Sequence, residues 1–196
     1  MAPTNPLTKP RIIVIAAGAQ YRKLPLENLS RFEGAGVYHS ATFVEAQLYG
    51  SKEVIVVGGG NSAGQAAVFL AQTTKRVYML VRSSGLGESM SRYLIRRIEK
   101  NPNILFHPQT EIVALEGGDH LDSVHWRNGQ TGQIEQHRIR HVFVITGADP
   151  NTRWLKDFVA LDAKGFISTD PDLSPENLST ASWPLLVNHT CSKPVC

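Results

Sequence analysis

An α/β fold, a doubly wound parallel sheet with an antiparallel three-stranded meander inserted into it, follows from three features of the sequence. Apolar runs alternate with helical patterns in β-α-β-α-β order between residues 53 and 106. Three short alternating runs, parted by glycine-rich turns, occupy residues 109 to 140. A final apolar run, Val142 to Ile145, then returns the chain to the sheet. The length of 196 residues suits one full domain and leaves room for part of a second. With 42% hydrophobic and 19% charged residues, the chain has enough apolar material to bury a core.

The first ten residues carry Pro3, Pro6 and Pro10 among small polar neighbours, which predicts an unanchored entry segment. Arg11 to Ala17, closed by Gly18, is a continuous apolar run and predicts a strand buried on both faces. Ser40 to Tyr49 predicts a short helix with Ser40 as N-cap, ended by Gly50. The alternation proper follows: strand Glu53–Val57, helix Asn61–Gln72, strand Lys75–Val81, helix Ser89–Lys100, strand Asn103–Phe106. Gln109–Glu116, Leu121–Arg127 and Gln133–Arg140 are the meander, turned at Gly117-Gly118-Asp119 and at Asn128 to Gly132. Val142–Ile145 stops at Thr146-Gly147, and Phe166–Ser168 is one more predicted strand. From Asp170 onward, Pro171, Pro175, Pro184 and Pro194 predict little regular structure.

One motif carries chemistry. The strand Val54 to Val57 runs directly into Gly58-Gly59-Gly60-Asn61-Ser62-Ala63, a G-x-G-x-x-A loop that opens a helix. Gly58 permits a tight turn, Gly60 lets the backbone approach a pyrophosphate, and Ala63 lets the helix pack on the strand. Phosphates would sit at the positive end of that helix. A glycine triplet alone reads as a flexible turn, but the strand before, the helix after and the second strand beyond make this a Rossmann-like dinucleotide loop. An acidic residue at the end of the next strand would grip a ribose hydroxyl, yet the sequence there is Val81-Arg82-Ser83-Ser84. Arg82 is a forked cation suited to a 2′-phosphate, with Ser83 as a neutral partner, so NADP(H) is expected over NAD(H). The competing view of Arg82 is a strand end in solvent.

Other candidates fade. Lys and Arg exceed Asp and Glu by only 20 to 17, which suits a small anionic ligand and does not call for nucleic acid. His137 and His141 lie in a strand-like segment, where four residues span about 13 Å, too far to share a metal ion. His107, His120, His125 and His189 are isolated, so no metal site is expected. Arg92, Arg96, Arg97 and Lys100 oppose Met90, Leu94 and Ile98 at helical spacing, the pattern of a solvated helix face. No tyrosine has a lysine four residues on, which excludes the proton-handling pair of a short-chain dehydrogenase. Cys191 and Cys196 sit in the last six residues, where they do not staple a core, and this cysteine usage points to a reducing cytoplasm. The apolar stretch Ile12 to Ala17 is too short for a signal peptide, and no run reaches the roughly 20 residues of a membrane span.

In sequence order these features resemble the thioredoxin reductase-like flavoproteins of the pyridine nucleotide-disulfide oxidoreductase family. Ile12 to Ala19 with Leu24-Pro25 resembles the strand where such proteins leave their FAD domain. Gly36 to Thr42 resembles the next segment, and Val57 to Ala63 the NADPH loop. Phe143 to Thr152 resembles the second crossover, and Gly165 to Ser168 the strand after it. The resemblance implies that Gly58, Gly59, Gly60, Asn61, Ser62 and Ala63 bind the NADPH pyrophosphate. Arg82 with Ser83 would take the 2′-phosphate, and Thr146 and Gly147 would lie near the cofactor. Three departures stand out. The family's Cys-x-x-Cys aligns with Ser40-Ala41-Thr42-Phe43, which has no thiolate to exchange with a disulfide. No flavin-binding glycine loop precedes Ile12, and the arginines expected after Arg82 are Ser83 and Gly87.

The resemblance thus implies a remnant of the FAD domain and crossover over residues 1–35, an NADP(H)-binding domain over 36–152, and a return segment with an irregular tail over 153–196. In the complete family enzyme NADPH passes a hydride to FAD; the flavin site is expected to be incomplete in this polypeptide, and no catalytic residue is assigned. The alternative is a non-catalytic NADPH-binding module. Expected partners are NADPH and either a polypeptide supplying the FAD domain or a second copy in a homodimer, with neither nucleic acid nor membrane.

Overall fold

The computed structural model describes residues 14–41, 51–169 and 173. Its contacts divide the chain into two units, one formed by Gln20–Asp149 and the other by residues 1–19 with 150–196.

The larger unit is built on a five-stranded parallel sheet. Its strands are β2 (Val37–Tyr38), β3 (Glu53–Val57), β4 (Arg76–Val81), β5 (Ile104–Pro108) and β9 (Val142–Val144), ordered β2-β9-β3-β4-β5. Alternate residues of the central strands serve two cores. Val54, Val56, Val77, Met79, Val81 and Phe143 bury beneath helices α2 (Asn61–Leu70) and α3 (Arg92–Glu99). Ile55, Val57, Leu80, Val142 and Val144 bury on the other face against the meander of β6 (Thr110–Gly117), β7 (Leu121–Asn128) and β8 (Ile134–His137), and against α1 (Leu29–Phe32). Burial on both faces is why β3, β4 and β9 read as unbroken apolar runs instead of alternating ones. The fold is therefore the expected α/β architecture, with α2 and α3 layered on one face and the antiparallel sheet together with α1 on the other.

The described length of α3 exposes Arg92, Arg96 and Arg97 and buries Leu94 and Ile98, as its periodicity predicts. The meander turns Ile112, Leu115, Leu121, Val124 and Trp126 inward, and strict alternation is broken between 112 and 115 and between 121 and 124. Register shifts between Ile112 and Ala114, and between Glu116 and Gly117, bend the β6–β7 pair as bulges do.

Several expectations need correction. Over Val14 to Ala17, the described part of the run from Arg11, no strand forms, and Val14 is 84% exposed. An apolar run becomes a buried strand only where a neighbour takes its backbone hydrogen bonds, and the first strand instead is the short, exposed β1 (Ala19–Tyr21), paired with β10 (Ala148–Pro150). The predicted helix from Ser40 to Tyr49 lies outside the described residues except for Ser40 and Ala41, which are not helical. The third meander strand stops at His137, because the chain turns to bury Ile139. Helix α3 begins at Arg92, since Leu86 to Met90 forms a turn in which the Ser89 and Met90 amides donate to the Leu86 carbonyl.

In the second unit, the predicted strand Phe166–Ser168 is reduced to one bridge between Leu161 and Ile167. It closes a turn in which Asp162 Oδ1 accepts from the Lys164 and Phe166 amides, both at 2.8 Å. A single 3₁₀ turn, Arg153–Leu155, precedes it. Among the described residues no helix is long and apolar enough to cross a membrane, and no cluster of three or more His, Cys, Asp or Glu residues could hold a metal ion. His137 and His141 have different neighbours: His137 stacks on Trp126 with ring centroids 3.6 Å apart, and His141 lies 6.4 Å from the Tyr38 ring.

Candidate functional site

The parallel strands all end on one side of the sheet, so residues 38, 57, 81, 108 and 144 bring their following loops to a common edge. Strand order reverses around β3: β4 and β5 lie on one side of it, β9 and β2 on the other. A crevice at such a switch point is where open α/β sheets bind ligands. The glycine loop follows β3 at that point.

The three glycines have three different structural reasons. Gly58 adopts φ +143°, a backbone conformation that L side chains rarely take, and a Cβ there would overlap the Ile145 carbonyl. Gly59 packs on β4, where a Cβ would come within 2.9 Å of Val81 Cγ1. Gly60 has ordinary backbone angles, and among the described residues the nearest atom to a Cβ there is the Ser89 carbonyl oxygen at 4.0 Å. Its lack of a side chain is thus not required by packing among the described residues. Gly60 is also the N-cap of α2, with no side-chain cap and no acidic residue in the first turn. The leading amides of a helix have no intrahelical acceptor, and their partial positive charge favours an anion. Ala63 is fully buried beside Gly58, as helix-on-strand packing requires.

Arg82 follows β4, is exposed, and makes no ion pair among the described residues. Ser83 is engaged locally: its hydroxyl donates to the Gly85 carbonyl at 2.7 Å and its own carbonyl accepts from the Gln109 amide at 3.0 Å. Asn61 is exposed, yet its side-chain oxygen accepts from the Ser91 amide at 2.8 Å. On the β9 side, the Thr146 hydroxyl donates to the Arg22 carbonyl at 2.9 Å, and Gly147, at φ +99°, accepts from the Arg22 amide at 3.0 Å.

Ser62 and Gly147 come together in a cavity of about 500 Å³, lined also by Tyr21, His39, Gln65 and Phe69. The Tyr21 and His39 rings stack there, centroids 5.7 Å apart and 6° from parallel. His39 Nε2 lies 3.1 Å from Glu33 Oε1, whose carboxyl is held below its usual range by hydrogen bonds from Lys23 and from His39. By strand order the cavity is on the β9 side of the glycine loop and Arg82 on the β4 side.

Sequence reasoning missed Tyr21 and His39, which only the sheet order brings beside Ser62. It also missed Gly64, Ser89 and Met90. A Cβ at Gly64 would come within 2.8 Å of the Met90 side chain, so the first glycine after Asn61 carried a packing signal.

The profile of the family described as pyridine nucleotide-disulphide oxidoreductase matches residues 9–179. The chain is 31% identical over 166 residues to the thioredoxin reductase of Borreliella burgdorferi, covering 84% of this chain and 50% of that protein. It is 28% identical over 169 residues to the thioredoxin reductase of Streptomyces coelicolor, covering 86% and 52%. The solved thioredoxin reductase from Streptococcus pyogenes superposes with a TM-score of 0.69 at 30% identity, over 78% of this chain and 49% of that one. The chain spans about half the length of the curated relatives it matches. On this evidence it belongs to the pyridine nucleotide-disulphide oxidoreductase family and is thioredoxin reductase-like.

Proposed function

We propose that residues 36–152 are the NADP(H)-binding part of a thioredoxin reductase-like flavoprotein oxidoreductase. The observation that carries this is Gly60: an uncapped helix start whose missing side chain leaves open space, set at the reversal of strand order. An anionic diphosphate matches that seat. Gly58 and Gly59 shape the turn, and the leading amides of α2, from Asn61 to Ala63, face the charge. Arg82 and the neighbouring Ser83 hold the 2′-phosphate on the β4 side. The other end of the cofactor lies on the β9 side, along Thr146, Gly147 and the cavity. NADPH, when bound, supplies a hydride, which in the complete family enzyme reduces FAD. The residues of this chain bind and orient, and none of them is assigned a proton transfer. This sequence has one G-x-G-x-x-A loop, at residues 58–63, so the assignment covers the pyridine nucleotide and not the flavin.

Titration calorimetry of the intact chain with NADPH and NADH tests the assignment. Tighter binding of NADPH supports it; no heat from either overturns it. A second reading, a nucleotide-binding module without turnover, is favoured by one observation: Ser40 to Phe43 contains no thiol, so the disulfide step of the family has no nucleophile there. Flavin absorbance of the purified protein separates the two readings. Bound flavin supports the oxidoreductase, and a colourless protein that binds NADPH supports the module.

A further inference from the structure

The segment from Ser83 to Ser91 joins β4 to α3 and carries two glycines, Gly85 and Gly87, with no atom of the described residues within 4 Å of where a Cβ would stand. Packing among the described residues does not constrain those two positions, and glycine adds conformational entropy that must be removed when the segment meets a ligand. The near end is held by the Ser83 carbonyl, which accepts from the Gln109 amide at 3.0 Å, and the far end by three consecutive residues. The Ser89 hydroxyl donates to the Gly59 carbonyl at 2.8 Å. Met90 is buried, with its thioether end over Gly64. The Ser91 amide donates to Asn61 Oδ1 at 2.8 Å. Each of the three meets the glycine loop or the first turn of α2. Leu86, also buried, supplies an apolar anchor between them.

Resting on the pyridine-nucleotide assignment above, we propose that Ser89 and Asn61 are positioning residues for nucleotide selectivity. They latch the Ser83–Ser91 segment to the glycine loop, and so hold the 2′-phosphate side of the site, around Arg82, in register with the diphosphate side. Apolar anchors at Leu86 and Met90 set the spacing, while the two directional bonds set the register. This changes the role expected for Asn61. Its side-chain oxygen is committed to Ser91, so its contribution through that atom is to hold the segment and not to touch the cofactor. Preorganising a loop strengthens binding by removing the ordering cost at the moment of association, and here that gain falls on the ligand that uses the segment.

The test measures dissociation constants of the intact chain for adenosine 2′,5′-bisphosphate and for 5′-ADP, in wild type, Ser89→Ala and Ser89→Thr. Ser89→Ala is expected to weaken the 2′,5′-bisphosphate about tenfold, the scale of one net hydrogen bond, and 5′-ADP less than threefold. Ser89→Thr, which keeps the hydroxyl donor, is expected to restore the wild-type ratio. An unchanged ratio in Ser89→Ala, or equal losses for both ligands, would overturn the latch while leaving the nucleotide assignment intact. Wild-type protein that binds neither probe would overturn the assignment and the latch with it. Asn61→Ala provides a second variant with the same expected ratio change should Ser89→Ala fold poorly.

Discussion

Gly58 lies directly under the backbone carbonyl of Ile145, closer than any side chain allows, while the Ile145 amide donates to the Val57 carbonyl at 2.8 Å. The start of the glycine loop and the end of β9 are therefore one packed unit. Because Gly58 also has φ +143°, a Cβ there meets both a steric and a conformational penalty. Gly58→Ala is expected to lower stability by about 3 kcal/mol or more, read as a shift in the urea midpoint at unchanged slope.

Gly60 gives the opposite expectation. Its Cβ position is free of atoms of the described residues to 4.0 Å, so Gly60→Val should fold with a stability loss of about 1 kcal/mol or less. Binding of both NADPH and NADH should nevertheless be abolished, because the side chain would fill the space we assign to the diphosphate. Normal binding by a folded Gly60→Val protein would show that the diphosphate sits elsewhere.

Arg82 is exposed, outside any ion pair among the described residues, and so free to meet an incoming anion. Arg82→Ala is expected to weaken NADPH binding by about 1–3 kcal/mol, the worth of a charge-assisted hydrogen bond. NADH binding should change much less. Calorimetry on the two cofactors checks this, and equal losses would remove the 2′-phosphate role from Arg82.

Acid sensitivity should come first from His141. Burial, then the nearby charges of Lys52 and Arg140, depress its pKa from 6.5 to about 4. The unfolded chain therefore takes up the proton before the native one does, and stability is full above about pH 6.5, falls down to about pH 4, and loses nothing more from this group below that. Burial lowers His107 as well, adding to the same trend. Discounted for partial exposure, the His141 contribution is about 1–2 kcal/mol between pH 7 and pH 4. His141→Gln should flatten the dependence of the urea midpoint over this range. Glu33, Glu116 and Asp149, held low chiefly by hydrogen bonds from Lys23, His125 and Arg22, should lose their contributions only at lower pH.

What the sequence determined by itself is the order and kind of the central elements and the presence of the glycine loop. Val54 to Val57, Val77 to Val81 and Val142 to Val144 are legible because burial on both faces leaves no polar interruption. Gly58 to Ala63 is legible because turn, helix start and close packing each demand a small residue at a fixed spacing. What escaped reading depends on pairing between distant segments. Val14 to Ala17 has strand composition yet forms no strand over its described length, whereas the two-residue β2 exists only because β9 supplies its partner.

Only the tertiary structure decided what stands around the loop. Sheet order sets His39 and Tyr21 beside Ser62, and Arg82 on the opposite side of β3. It also committed the Asn61 oxygen to Ser91, a bond between residues 30 positions apart that no local pattern announces. The physical reason is common to both: periodicity and turn chemistry are written within a few neighbouring residues, while a site at a switch point is made by the strands that happen to lie side by side.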